Sequence, residues 1–152
     1  MQHSIHLPFP ISTNRLWRKG PRGLYRSPAY VEWIRQADQI VLMHKTGPFR
    51  RLEGPFFAIL ELRASGKKRA TSDADNLLKA PLDYVSKLGL IDNDKLQQWT
   101  VVGWTDDVER VPFGARLTLI PCTKKDGLQS LADQIAKFGT QPSGESDGAA
   151  SE

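Results

Sequence analysis

A chain of 152 residues, 39% of them hydrophobic and with four Trp and six Phe, has room for one domain with a core of its own. Its single cysteine, Cys122, excludes an internal disulfide framework and a multi-cysteine metal site, and suits a reducing compartment. The net charge of +4 conceals a split: residues 1–71 carry 13 Lys and Arg against 4 Asp and Glu, residues 72–138 carry 8 against 10, and residues 139–152 carry 0 against 3. The basic half can cover a polyanion such as nucleic acid, although many solvated protein faces are equally basic. No segment approaches the roughly 18 apolar residues of a membrane span, and the start lacks a charged stretch followed by an apolar one, so a cytoplasmic protein with no membrane partner is expected.

Residues 2–7, QHSIHL, alternate well enough for a short strand, which Pro8 and Pro10 end. The following ISTNRLWRKGPRGLYRS is too rich in Gly, Arg and Lys for a core element and reads as a basic loop. Ser27 and Pro28 make a cap and a first-turn proline, and Tyr30, Ile34, Ala37, Val41 and His44 recur at three- and four-residue steps, so 28–45 is expected to be an amphipathic helix stopped by Gly47-Pro48. Residues 56–64, FFAILELRA, form a strongly apolar strand with Glu61 and Arg63 on one face.

Leu78, Leu82, Val85 and Leu88 give a second helix closed by Gly89 as a left-handed cap, with Pro81 either in its first turn or kinking it. Trp99–Thr105 and Ala115–Pro121 look like a strand pair joined by Asp106–Gly114. Leu128, Leu131, Ala132, Ile135 and Phe138 make a third helix behind Asp126 as a cap. Beyond Gly139 there is no large apolar residue to bury, so residues 1–138 are expected to form the domain and 139–152 a disordered acidic tail. The order β-α-β-α-β-β-α predicts an α+β domain, a mixed sheet with helices packed on it. Trp33, Trp99 and Trp104 fall on periodic apolar faces and are expected to be structural. Cys122 reads as a small half-buried hydrophobe at a strand end, and His3, His6 and His44 lack metal-ligand spacing.

The stretch GKKRATSDADNLLKAPLDYVSKLGLIDND, residues 66–94, holds the chemistry. Asp73 and Asp75 stand two residues apart at the entry to the second helix. A helix over 77–88 then carries the chain roughly 18 Å away, and the extended segment to Asp94 recovers roughly 20 Å. Asp94 can therefore return to the first pair, while Asp92 falls short. Two carboxylates about 4 Å apart repel by about 4 kcal/mol at an effective dielectric near 20, so three convergent ones take up protons or require a cation. All-oxygen ligands with no His or Cys near by in sequence favour Mg²⁺ or Mn²⁺ over Zn²⁺. A calcium loop starting at Asp73 fails, because Leu77, Leu78 and Tyr84 occupy its required ligand and glycine positions. The same spacing also suits ordinary capping and turn residues, and on spacing alone both readings stand.

The pattern D73-A-D-N76-L-L-K79, followed by D83-Y-V and G89-L-I-D-N-D94, resembles the RusA family of Holliday junction resolvases, metal-dependent endodeoxyribonucleases. The opening L7-P-F-P-I-S-T-N14-R15 and the helix start S27-P-A-Y-V-E-W-I resemble the same family, so the likeness spans roughly residues 3–122. It departs from the family in having Asn93 where an acid often precedes the last aspartate, and an extra Asp92, which leaves Asp92 as an alternative third ligand. The resemblance implies a RusA-like fold, metal binding by Asp73, Asp75 and Asp94, and catalytic assistance by Lys79 in hydrolysing a DNA phosphodiester. Lys79, one helical turn past Asp75, can reach the same phosphate. Asn76 can orient a ligating carboxylate or merely cap the helix, and Asp83 is expected to face solvent or pair with Lys79 or Lys87.

Lys67, Lys68 and Arg69, with Arg15, Arg18, Lys19 and Arg22 of the basic loop, would track the DNA backbone by contacts that weaken steeply with salt. Trp17 and Tyr25 can stack on unpaired bases or pack against protein. Matched cuts on two symmetry-related strands call for two sites, hence a C₂ homodimer. The expected activity is a Mg²⁺-dependent (Mn²⁺ possible) crossover junction endonuclease of DNA recombination and repair, acting on four-way or branched DNA with no nucleotide cofactor. The alternatives are a non-catalytic module for structured or single-stranded DNA and a nuclease for other branched DNA.

Overall fold

The computed structural model describes residues 2–44, 49–123 and 125–140. Six strands and four α-helices follow in the order β1 (His3–Pro8), β2 (Trp17–Gly20), β3 (Gly23–Arg26), α1 (Pro28–His44), β4 (Phe56–Leu62), α2 (Gly66–Ala70), α3 (Lys79–Lys87), β5 (Gln97–Trp104), β6 (Gly114–Pro121) and α4 (Leu128–Thr140). Short 3₁₀ turns occupy Thr13–Arg15, Ala74–Leu77 and Asp94–Leu96. The α+β class is as expected. Residues 45–48, including Gly47-Pro48, and 141–152 of the expected tail lie outside the described residues; α4 runs to Thr140, two residues past the expected end of the domain.

β4 is the organising strand. FFAILEL is buried at six of its seven positions, because apolar side chains alternate onto both faces and both faces are covered. The sheet order is β1-β6-β4-β5, with β4 antiparallel to β6 and parallel to β5. β5 and β6 therefore do not form the strand pair that their adjacency in sequence suggests: β4 lies between them. Adjacent strand signals favour a hairpin locally, but the most apolar strand takes the centre, where two neighbours and two layers shield it.

One face of the sheet, with Leu7, Phe56, Leu60, Leu117 and Leu119, packs on Tyr30, Trp33, Ile34 and Ala37 of α1 and on Ala80, Tyr84 and Val85 of α3. The other face packs Phe57, Ile59 and Ile120 against Leu131 and Phe138 of α4. The half-buried Cys122, just past β6, joins this second cluster as expected, and burial pushes its thiol pKa up. Glu61, the half-buried exception in β4, is ion-paired at 2.5 Å with Arg110, whose guanidinium also lies 4.2 Å from the Phe138 ring centroid. Arg63 donates to the carbonyls of Val111 (2.6 Å) and Pro112 (2.8 Å). Asp126 caps differently from the expectation: its carboxylate accepts the N–H of Thr123 at 2.6 Å.

Several local signals perform as the sequence suggests. Ser27 accepts the Tyr30 N–H at 3.1 Å, the expected N-cap, and donates its hydroxyl to the Arg15 carbonyl at 2.6 Å. Pro81 sits buried in the first turn of α3, where its missing N–H has no helical partner to lose. Gly89 takes φ +72° just after that helix and lets Leu90 donate back to the Val85 carbonyl at 3.0 Å. Trp33 donates to the Pro8 and Phe9 carbonyls at 3.2 and 3.0 Å, fixing α1 against the proline-rich turn after β1.

The basic loop is the main departure. Residues 17–26 form a two-stranded antiparallel ribbon, β2 paired with β3, turning at Pro21-Arg22 between Gly20 and Gly23. Seven of its eight strand residues are exposed, so no apolar alternation marks it in the sequence. A second departure is α2, one turn of helix over the run of bases; its N-terminal neighbour Ser65 makes no side-chain cap. Trp99, expected to be structural, is 38% exposed on β5, the edge strand of the sheet. No helix among the described residues is long and apolar enough to cross a membrane.

Candidate active site

β4 and β5 are parallel neighbours, so the chain must cross from the end of one to the start of the other, and the candidate acids, Asn76, Lys79 and the bases of α2 lie on that crossover. It begins with α2, which displays Lys67, Lys68 and Arg69. Asp73 follows in extended backbone (φ −85°, ψ 120°) as the cap of the 3₁₀ turn Ala74–Leu77. Asp75 and Asn76 lie within that turn, which packs against β5 and α3. Lys79 opens α3, and Asp94 opens the 3₁₀ turn leading into β5.

The two halves of the crossover meet at Lys79. Its ammonium is 2.7 Å from Asp83, one turn along α3, and donates to Asp94 at 3.2 Å. These partners, Asp83 first, hold the Lys79 pKa above the usual lysine range despite the opposing effect of partial burial. Asp83 thus pairs with Lys79, one of the two partners its position suggested. Asp92 forms an ion pair with Arg51, and Asn93 accepts the Lys95 N–H at 2.9 Å.

Asp73 and Asp75 are different. Both are exposed, and among the described residues neither carboxylate has a hydrogen-bond or ion-pair partner. Asp73 lines a cleft of about 530 Å³ with Arg15, Lys68, Ser72, Asn76 and the proline-rich turn. That cleft is braced by Thr13, whose hydroxyl donates to the Asn76 carbonyl at 2.9 Å. Asp94 lines a separate cleft of about 400 Å³, with Trp17, Arg26, Tyr30, Asp83 and Asn93. Among the described residues, no group of three or more His, Cys, Asp or Glu side chains is placed to hold a metal ion. The oxygen donor set suits a hard divalent cation, but Asp73, Asp75 and Asp94 are not preassembled around one; Asp94 is turned to Lys79 instead.

The predicted phosphate contacts fall in two groups. Arg15 and Lys68 share the cleft of Asp73, with Lys67 exposed beside them on α2. Lys68 lies 4.5 Å from the Phe9 ring centroid, and Arg69 pairs with Asp106 at 2.7 Å while its guanidinium stands 5.4 Å from the Trp104 ring. Arg18, Lys19 and Arg22 are exposed on the ribbon and its turn. Trp17 and Tyr25, 45% and 52% exposed, project from that ribbon rather than packing into the core. Arg26 belongs to the same surface, and the sequence reading missed it; the signal available was its place in the same basic run.

A search of curated proteins finds no match. The family model for endodeoxyribonuclease RusA matches residues 8–112, well over half of the chain and a span that contains Asp73, Asp75, Asn76, Lys79 and Asp94. A mixed four-stranded sheet with its acids and bases gathered on the β4-β5 crossover thus carries the sequence of a known nuclease family: the chain belongs to the RusA endodeoxyribonucleases, the Holliday junction resolvases that its motifs resemble.

Proposed function

We propose that this chain resolves four-way DNA junctions by metal-dependent hydrolysis, with Asp73, Asp75 and Asp94 as ligands of a divalent cation, Mg²⁺ in the first place and Mn²⁺ as a substitute. The observation that carries this reading is the family match over the whole span that contains these residues. Supporting it, Asp73 and Asp75 are exposed carboxylates that make no ion pair among the described residues. A divalent ion bound there would supply a Lewis acid and a water of lowered pKa.

Lys79 is the residue that would meet the scissile phosphate. Its raised pKa keeps it charged through the physiological range, so it can stabilise negative charge building on a phosphoryl oxygen. It is held by two acids, of which Asp83 is the nearer. Were Asp94 to serve as a metal ligand, Asp83 would still hold the Lys79 ammonium beside the site. Asn76 sits next to Asp75 with its own side chain free among the described residues, as an orienting partner for a ligating carboxylate would be. Arg15 and Lys68 in the cleft of Asp73 would position the strand, and the ribbon bases would extend that track. Paired cuts on strands related by a two-fold axis require two copies of the site, and a C₂ homodimer supplies them. The process served is DNA recombination and repair.

The test is a labelled four-way junction incubated with Mg²⁺. Wild type should nick it at symmetry-related positions, and Asp75→Asn should retain binding, tightened by the loss of a negative charge, while cleavage disappears. Binding by wild type with no nicks would leave only a DNA-binding module, and full cleavage by Asp75→Asn would overturn the ligand assignment.

A further inference from the structure

We infer that the cleft bounded by the β2-β3 ribbon, α1, α3 and the Asp92–Asp94 turn receives an unpaired nucleobase of the DNA substrate, stacked on Trp17, with Arg26 on the neighbouring phosphate. The inference deepens the nuclease reading and rests on it.

Residues paired across a two-stranded ribbon share a face. Trp17 is opposite Arg26 and Lys19 is opposite Leu24, so these four lie on one side; Arg18 is opposite Tyr25, on the other. The two exposed aromatics of the ribbon therefore look in opposite directions. Tyr25 covers Gly20, where even a Cβ would meet its ring at 3.0 Å. Trp17 instead lines the cleft of Asp94, together with Arg26 and Tyr30.

That cleft has the parts a base would need. The Trp17 and Tyr30 rings are 6.3 Å apart at an angle of 69°, an edge-on contact in which neither ring stacks on the other. The Arg26 guanidinium is 5.9 Å from the Tyr30 centroid, a cation beside the aromatic wall. A volume of about 400 Å³ is in the range of small-ligand sites. Asp83 and Asp94, the two partners of Lys79, line the same cleft. A base held there would lie across Asp83 and Asp94 from the Lys79 ammonium. Branch points offer such bases, since unpairing there costs less than in an intact duplex, and stacking on an aromatic ring accepts any base.

The experiment places 2-aminopurine at the branch point of a four-way junction and follows its emission on binding in EDTA, where no cutting occurs. Wild type should quench the probe by stacking. Trp17→Ala should leave the probe brighter and bind the junction roughly tenfold more weakly, with the salt dependence of binding unchanged because no cation is lost. Trp17→Phe, which keeps an aromatic face, should retain most of the quenching, and it provides the reading should the alanine variant melt early. Tyr25→Ala, on the other side of the ribbon, should quench like wild type. Equal quenching by wild type and Trp17→Ala, or loss of quenching in Tyr25→Ala, would overturn the inference while leaving the nuclease reading intact if the wild type still cuts in Mg²⁺. A wild type that binds no junction would end both.

Discussion

The two acidic turns of the β4-β5 crossover have similar sequences and opposite electrostatics. Around Asp73 and Asp75 the carboxylates are exposed and make no ion pair among the described residues, although Arg15 and Lys68 line the cleft of Asp73. Around Asp92 and Asp94 each carboxylate already faces a cation of the chain, Arg51 and Lys79 respectively. Under the function proposed above, the unpaired cluster is the one that would take up charge arriving from outside. Asp94 stands between the two cases, because its partner Lys79 has Asp83 as a second anchor.

The sharpest way to break this comparison is to neutralise a bare carboxylate. Asp73→Asn should lower junction cleavage by at least about a thousandfold, the scale of several kcal/mol of lost metal-assisted stabilisation, while circular dichroism melting stays near that of wild type. Next in size is Lys79→Met, expected to cost about a hundredfold in cleavage as a lost transition-state cation, read in single-turnover assays with saturating protein. Asp92→Asn tests whether the paired cluster is inert: cleavage should stay within about twofold, as for a surface substitution. A collapse of activity in that variant would make Asp92 the third ligand and erase the distinction drawn above.

The smallest effect concerns stability. A lysine whose folded pKa is raised stabilises the fold below its unfolded pKa and loses that contribution as pH climbs through the folded value. The difference in unfolding free energy between wild type and Lys79→Met, read from urea titrations, should therefore be constant from neutral pH to about 10 and shrink beyond it. Because the Lys79 side chain is 46% exposed, the full difference should be only a few tenths of a kcal/mol.

What could be read in the sequence follows from what leaves a local trace. α1 and β4 carry apolar periodicities that match their burial, and Ser27, Pro81 and Gly89 are boundary residues whose roles depend on the backbone alone. The ribbon left no such trace, because Arg18, Lys19, Leu24 and Tyr25 bury neither face. The separation of β5 from β6 was equally invisible, since the choice of β4 as the strand between them depends on how three strands compete for the centre. In the site, the pairing of Lys79 with Asp83 was legible from helical spacing, while Asp94 meets Lys79 rather than the Asp73 and Asp75 pair that spacing allowed. The Arg51–Asp92 pair was not, because Arg51 lies before β4, where no motif connects it to the acids. Nor could spacing reveal that Asp73 and Asp94 would line different clefts.

β6 links β1 to β4, yet it starts at Gly114, beyond the last residue matched by the family. Its contacts span long stretches of chain; Ser4 and Thr118, whose hydroxyls are 2.8 Å apart, are separated by 114 positions. During synthesis, then, β1 has no strand to join until nearly the whole domain has left the ribosome, and such distant pairings close slowly. A fragment trimmed to the matched residues 8–112 would keep every acid and lysine of the crossover and still lack β6 and, but for Pro8, the β1 that β6 holds.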